Sequence, residues 1–372
     1  TLTVSGETGN VVRWESTTND WSTVNVISNT SNTQDYNNLT ETTKYRAIIQ
    51  SGVCAVATSA EMIITVDEVS RGGVVTPNTS NVCLGENSGM LNVSGQTGDV
   101  LRWEATTNDW LTIVNIPSTK NTQDYNNLTK TTKFRAIIKS GVCLESSSNE
   151  TTIIVNELSV GGSVTASSSN VCFGNNSGNI AVVGETGSVI RWESTTNDWG
   201  TVELISNLTN TQDYSNITAT TKYRAIIQSG VCSEVVSSEA TISVDTPTEG
   251  GTLSSDATVC SGNNTATMVL SGSSGDIIRW QKTTSSWSNK TKITNTTSTQ
   301  DYIDLTQTTK YRVLLRSGVC PKAFSNVVTI EVDEVSSGGT LATEATNVCF
   351  GANSGTLTVS GETGNVVRWE ST

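Results

Sequence analysis

From Leu91 to Glu104 the chain alternates. Leu91 and Val93 fall on one side of an extended backbone and Asn92 and Ser94 on the other, the period of two expected of a half-buried strand. Gly95-Gln96-Thr97-Gly98-Asp99 supplies turn residues. Val100-Leu101-Arg102-Trp103-Glu104 then resumes the alternation, which predicts Leu101 and Trp103 on the core face and Arg102 and Glu104 on the other. The stretch predicts a β-hairpin with a large aromatic in its second strand. A helix is excluded: there is no i, i+3, i+4 apolar spacing, and Gly, Thr and Val crowd the segment.

The hairpin recurs along the chain. Its Trp returns as Trp14, Trp103, Trp192, Trp280 and Trp369, at spacings of 89, 89, 88 and 89 residues, and a second Trp follows seven places later at Trp21, Trp110, Trp199 and Trp287. A fixed period of this length means tandem copies of one domain. Three complete repeats are predicted, at 72–160, 161–249 and 250–337. They are flanked by a partial repeat at 1–71, lacking the first strand, and another at 338–372, carrying strands A to C. The chain opens and closes inside a repeat, so it reads as a piece of a longer polypeptide.

Within 72–160 the pattern predicts strand A over 74–83, B over 90–95, C over 99–105, C′ or D over 111–116, E over 121–127, F over 132–139 and G over 149–156. Count and turn spacing together predict an all-β fold, a series of Ig-like or fibronectin-like β-sandwiches in an extended rod. Short linkers marked by Gly72-Gly73, Gly161-Gly162, Gly250-Gly251 and Gly338-Gly339 separate the units. The one-residue deletion of the fourth repeat falls between Gly251 and Cys260.

A Leu or Ile stands six residues before the aromatic that opens strand F: Leu39 before Tyr45, Leu128 before Phe134, Ile217 before Tyr223 and Leu305 before Tyr311. This spacing is that of a tyrosine corner, although Phe134 lacks the hydroxyl. The predicted core aromatics are therefore Trp14, Trp103, Trp192 and Trp280 with Tyr45, Phe134, Tyr223 and Tyr311. Arg13 and Glu15 on strand C should face Lys44 and Arg46 on strand F. Such cross-strand pairs on a solvated face contribute about 0.2–1 kcal/mol each.

Charge changes the picture by exclusion. A net charge of −13 argues against a nucleic-acid partner, which needs a basic face. With no His in the chain, a Ser-His-Asp or Cys-His arrangement cannot be built. Glu104 and Asp109 could be imagined as paired carboxylates, but solvated loop acids lack the cleft that acid–base work requires. No enzyme is predicted. The eight cysteines recur in two classes, Cys83, Cys172, Cys260 and Cys349 before the hairpin and Cys54, Cys143, Cys232 and Cys320 after strand F. With no Cys-x-x-Cys pair and no His, the pattern favours disulfides over zinc and an extracellular compartment.

Asn170-Val-Cys-Phe-Gly-Asn-Asn-Ser-Gly178, followed by Arg191-Trp192, Ile217, Tyr223 and Gly230-Val-Cys232, resembles the repeats of SprB-type gliding adhesins, very large cell-surface proteins of Bacteroidetes. The match covers every repeat. The fourth departs from it, with Ser261 after its first Cys and Gln281 in place of Glu. The resemblance implies export by type IX secretion, outer-membrane anchoring and coupling to the gliding motor through regions outside this chain. It also implies contact with a substratum surface or polysaccharide.

Two disulfide schemes fit the spacing. Pairing within a repeat would join Cys83 to Cys143, Cys172 to Cys232 and Cys260 to Cys320. In a sandwich, however, those positions lie at opposite ends, over 20 Å apart for strands of about seven residues, and a disulfide spans only about 7 Å between Cα atoms. Pairing between successive repeats, Cys83 with Cys232 and Cys172 with Cys320, is preferred. Cys54, Cys143, Cys260 and Cys349 would then bond outside the chain.

Two binding sites remain candidates. The Thr-Thr-Asn-Asp-Trp loop, with Asp20 and Trp21, Asp109 and Trp110, and Asp198 and Trp199, could stack and hydrogen-bond a sugar, or its Trp could fold back and cap the sandwich. The fourth copy keeps only the ring, which suits packing. Calcium at the acidic junctions, such as Asp67-Glu68 and Asp333-Glu334, would need six to eight oxygens. No other cofactor is expected. The predicted role is the non-enzymatic stalk of a surface adhesin, with a multivalent carbohydrate-binding array as the alternative and self-association of stalks left open.

Overall fold

The computed structural model describes residues 1–254 and 256–372; Ser255, inside the segment where the fourth repeat is one residue short, lies outside the described residues. Among these residues there is no α-helix, only a short 3-10 turn at Trp287–Asn289. No helix is long and apolar enough to cross a membrane. The chain divides into two compact units, Thr1–Leu158 with Ser229–Ser233, and Ser159–Gln228 with Glu234–Thr372.

The first unit contains every strand of the second repeat. Its strands are β1 Val74–Thr76, β2 Thr79–Cys83, β3 Ser88–Ser94, β4 Asp99–Thr106, β5 Val114–Ile116, β6 Thr122–Asn126, β7 Thr132–Lys139, β8 Ser146–Ser147 and β9 Thr151–Asn156. One sheet runs β1-β3-β6 and the other β5-β4-β7-β9-β2, with β8 also on β7. Val75, Leu91, Val93 and Tyr125 from the first sheet meet Val100, Trp103, Phe134, Ala136, Ile138 and Ile153 from the second. This is the Ig-like sandwich: alternating inward residues of two sheets form one core.

Two features differ from the sequence expectation. The predicted strand A is two strands on two sheets: Val74–Thr76 pairs with β3, while Thr79–Cys83 pairs with β9 in parallel. The switch gives both sheets a partner at that edge, where one long strand would leave one sheet open. The second difference is a register shift on β4 between Val100 and Arg102. A bulge adds one residue and reverses the alternation, so Val100 is 3% exposed and Leu101 42%. Val100, and not Leu101, shares the core with Trp103.

The second unit repeats this plan twice. In the third repeat the sheets are Ser163–Ala166, Ser177–Val183, Thr211–Ser215 and Asn170–Cys172, Ala240–Asp245, Thr221–Gln228, Ser188–Thr195, Glu203–Ile205. The fourth follows the same order, with Asp276–Thr283 and Thr309–Arg316 at the centre. The same bulge recurs between Val189 and Arg191 and between Ile277 and Arg279. In the final partial repeat Thr340–Thr343 pairs with Leu357–Ser360.

Three of the Gly pairs are steric requirements more than slack. A Cβ at Gly72 would run into the Ser147 carbonyl, at Gly161 into Val236 and at Gly250 into Phe324, each a close approach inside one repeat.

Candidate functional site

The indole N–H of each core Trp donates to a backbone carbonyl seventeen residues on: Trp14 to Ser31 (2.9 Å), Trp103 to Lys120 (3.0 Å), Trp192 to Thr209 (2.9 Å) and Trp280 to Thr297 (3.0 Å). Tyr45, Phe134, Tyr223 and Tyr311 are buried beside them. The tyrosine corner itself does not form: among the described residues no hydroxyl of Tyr45, Tyr223 or Tyr311 makes a hydrogen bond. The rings pack instead on a second aromatic, with Tyr36–Tyr45, Tyr125–Phe134 and Tyr214–Tyr223 centroids at 6.4, 6.3 and 6.4 Å. Burial pushes the Tyr311 hydroxyl up to about 12. Phe134 keeps this packing without a hydroxyl.

The outer face of the same sheet carries the chemistry. On β4 and β7, Glu104 stands opposite Arg135. Its carboxylate is clamped by Arg135 (2.7 Å) and Arg102 (2.8 Å), and its side chain is only 4% exposed. That burial corrects the expected solvated ladder, and its cause is the second Trp. The Arg135 guanidinium lies over the Trp110 ring at 4.1 Å, and the Trp110 indole N–H donates to Glu150 at 2.6 Å. Lys133 bridges Asp109 (2.5 Å) and Glu150 (3.4 Å). Carboxylate, guanidinium and indole thus form one layered cluster.

The loop that delivers Trp110 has an unusual backbone. Asp109 and Trp110 both take positive φ, 56° and 66°, as do Asp20 and Trp21 (55° and 65°) and Asp198 and Trp199 (57° and 66°). Left-handed backbone is costly for a bulky residue. Here it is held by the Thr106 hydroxyl, which accepts from the Trp110 N–H at 3.1 Å, and by the ring and carboxylate contacts. Trp21, Trp110 and Trp199 are all half-buried, over Arg46, Arg135 and Arg224 respectively.

The charges reinforce one another. Burial alone would raise the Glu15 pKa, but the Arg46 and Arg13 guanidiniums outweigh it and hold the carboxyl below the ordinary range. The Lys44 and Lys222 ammoniums depress Asp20 and Asp198. Glu239 is likewise depressed by the Trp199 indole and Lys222. In the fourth repeat all these acids are replaced. Gln281 stands for the glutamate, Ser286 for the aspartate and Val327 for Glu239. Arg312 lies between the Trp287 and Phe324 rings, 3.9 Å from each, and burial lowers its pKa.

The cysteines form a second site. Cys83 is bonded to Cys232 and Cys172 to Cys320, with Cα–Cα separations of 5.0 and 4.8 Å. Cys54, Cys143, Cys260 and Cys349 are free thiols. The turn that carries the second sulfur is gripped by the tail of the preceding repeat. Val142 N–H donates to Asp67 at 2.9 Å, and Val319 N–H to Asp245 at 2.9 Å. A Cβ on Gly141, Gly230 or Gly318 would collide with Asp67, Asn156 or Asp245, which accounts for the Gly-Val-Cys motif. The junction carboxylates proposed for calcium are thus in part turn caps. No group of three or more His, Cys, Asp or Glu able to hold a metal occurs among the described residues. Disulfides belong to an oxidising, extracytoplasmic setting.

One recurrent residue escaped the sequence reading. Asn87 donates through its amide to the Cys83 and Leu128 carbonyls and accepts from the Leu128 N–H, all at 2.9 Å. Asn176 and Asn264 repeat the staple. Its signal was present: an Asn four residues after each of the first-class cysteines.

The family model of the domain of unknown function DUF8696 matches residues 1–68, 71–157, 160–246 and 249–334. No curated protein matches the chain. Among solved structures, extracellular domains 3–5 of Drosophila OTK align at 11% identity over 72% of this chain and 98% of theirs, with a TM-score of 0.31. Titin domains A168–A170 align at 12% identity over 72% and 98%, TM-score 0.31. The N-terminal four Ig domains of Dscam1 isoform 4.4 align at 13% over 83% and 85%, TM-score 0.27. It is the strand order of each repeat, and not these overlays, that defines the Ig-like sandwich.

Proposed function

The chain belongs to the DUF8696 family, and from that premise we propose that its tandem Ig-like repeats are the load-bearing stalk of a secreted cell-surface adhesin. In the finer form of this reading the adhesin is of the SprB gliding type. It is exported by type IX secretion, anchored at the outer membrane and drawn along by the gliding motor, with a distal tip holding the substratum. The observation that supports load bearing is covalent: a cysteine of one repeat is bonded to a cysteine of the next. A bond within a domain guards that domain, whereas a bond between domains guards the string.

A multivalent carbohydrate-binding array is the second reading, favoured by the Asp-Trp turn recurring in three repeats. Against it, the Trp110 indole N–H and one ring face are already engaged by Glu150 and Arg135. Cells displaying the parent adhesin with Cys83→Ser and Cys172→Ser should attach normally at rest and detach earlier under shear flow. Unchanged detachment would contradict the stalk reading. Retention of purified repeats on immobilised polysaccharide, lost on Trp110→Ala without loss of folding, would favour the array.

A further inference from the structure

The two disulfides interleave. Cys172 lies inside the loop closed by Cys83 and Cys232, and Cys232 lies inside the loop closed by Cys172 and Cys320. Their sequence separations, 149 and 148, each exceed a whole repeat. We propose that this interlacing is a load bypass: tension crosses from repeat to repeat through sulfur, and nearly half of the backbone is taken out of the path along which the chain can be drawn out.

Strand directions show how the third repeat would meet such a load. Asn170–Cys172 runs parallel to Ala240–Asp245, which runs antiparallel to Thr221–Gln228. The strand ending at Cys172 and the strand leading into Cys232 therefore point in opposite directions. Pulling on the two sulfurs loads the intervening ladders along the strands, so their hydrogen bonds must yield together and not one at a time. Peeling from a free strand end, the easier route, is bypassed.

Connectivity also sets a length. With both bonds closed, the shortest covalent route from Thr1 to Thr372 runs to Cys83, across to Cys232, back to Cys172, across to Cys320 and on to the end. That route holds about 195 of the 372 residues. At about 3.6 Å per extended residue, the chain can be drawn to about 700 Å when oxidised and about 1,300 Å when reduced. The bonds are also not additive. Either one alone leaves a route of about 800 Å, so the second removes only about another 100 Å. Its value is that no single rupture releases the full chain.

The bypass deepens the stalk reading and takes its purpose from it, but the lengths follow from connectivity alone. Single-molecule pulling of the 372-residue chain between its ends tests it. The expected result is a limiting length near 700 Å that rises about twofold with reductant. Cys172→Ser with Cys320→Ser, which leaves Cys83–Cys232 as the one interlaced bond, should stop near 800 Å. A stop near 1,100 Å in that variant, the length for a bond closing about 60 residues, would overturn the bypass by assigning Cys83 to Cys143. So would an oxidised chain as long as the reduced one. A bypass confirmed in vitro alongside unchanged detachment of cells under flow would leave these lengths standing and remove the stalk reading instead.

Discussion

In the third repeat Trp192 is buried among Ile180, Val182, Tyr223 and Ile242, and in the fourth Trp280 is buried among Met268, Leu270, Tyr311 and Ile330. The interiors are interchangeable, but the outer faces are not. The third repeat layers Glu193, Arg191, Arg224, Asp198, Lys222 and Glu239 around Trp199. The fourth keeps the two arginines and the Trp and loses every acid. Arg312 Nε donates to Gln281 at 3.0 Å, while Gln281 Nε2 and Arg279 Nε find no hydrogen-bond partner among the described residues. The loop changes with the charges: Asp198 and Trp199 are left-handed, whereas Trp287 opens a 3-10 turn. The strand C glutamate returns after the fourth repeat: residues 356–372 repeat residues 1–17 letter for letter, and there Arg368 again meets a glutamate, Glu370, at 2.6 Å. The sandwich is specified by its inward residues, and the acidic clamp is a separate layer that one repeat does without.

The largest effects should be blind to the difference. Trp192→Ala and Trp280→Ala each remove a fully buried ring from the same kind of core, and each should cost its repeat about 3–5 kcal/mol. Urea unfolding followed repeat by repeat with hydrogen exchange would check this. Unequal losses would mean that the two cores are not equivalent.

Exchanging the clamp should move the two repeats in opposite directions. Glu193→Gln gives the third repeat the fourth's amide at this one position and should destabilise it by about 1 kcal/mol. Gln281→Glu offers a carboxylate to Arg279 and Arg312 and should stabilise the fourth by a similar amount, the usual worth of a charge-assisted hydrogen bond. Losses in both variants would show that packing, not charge, sets the position.

Acid should separate the repeats more gently. Asp198 and Glu239 have depressed pKa values when folded. Their contribution is therefore present at neutral pH and is lost as pH falls below the ordinary carboxylate range through the folded values. The fourth repeat has no such carboxylates. Hydrogen exchange at pH about 7 and about 3 should show protection falling further in the third repeat than in the fourth, and salt should mimic part of the effect. A parallel decline would mean that these surface pairs contribute nothing.

Much of the architecture was legible because tandem repetition samples one domain several times. The 89-residue period, the Trp of strand C and the two cysteine classes each recur, so chance patterns fall away. What stayed hidden was non-local or depended on a single backbone detail. The bulge before Arg102 reverses the face of Leu101, and nothing in Val100-Leu101-Arg102 announces it. Glu104 is buried because an indole six residues further on folds over its arginine partner, a contact no period encodes. The corner hydrogen bond expected of Tyr45 gives way to packing on Tyr36. Gly72 reads as linker in sequence, yet the Ser147 carbonyl lies where its side chain would be.

The stalk and the bypass both depend on sulfur bonds that join one repeat to the next. Non-reducing peptide mapping of the oxidised chain tests this most directly: the peptide holding Cys83 should be recovered linked to that holding Cys232, and Cys172 to Cys320. Recovery of Cys83 linked to Cys143, or of Cys172 linked to Cys232, would contradict it.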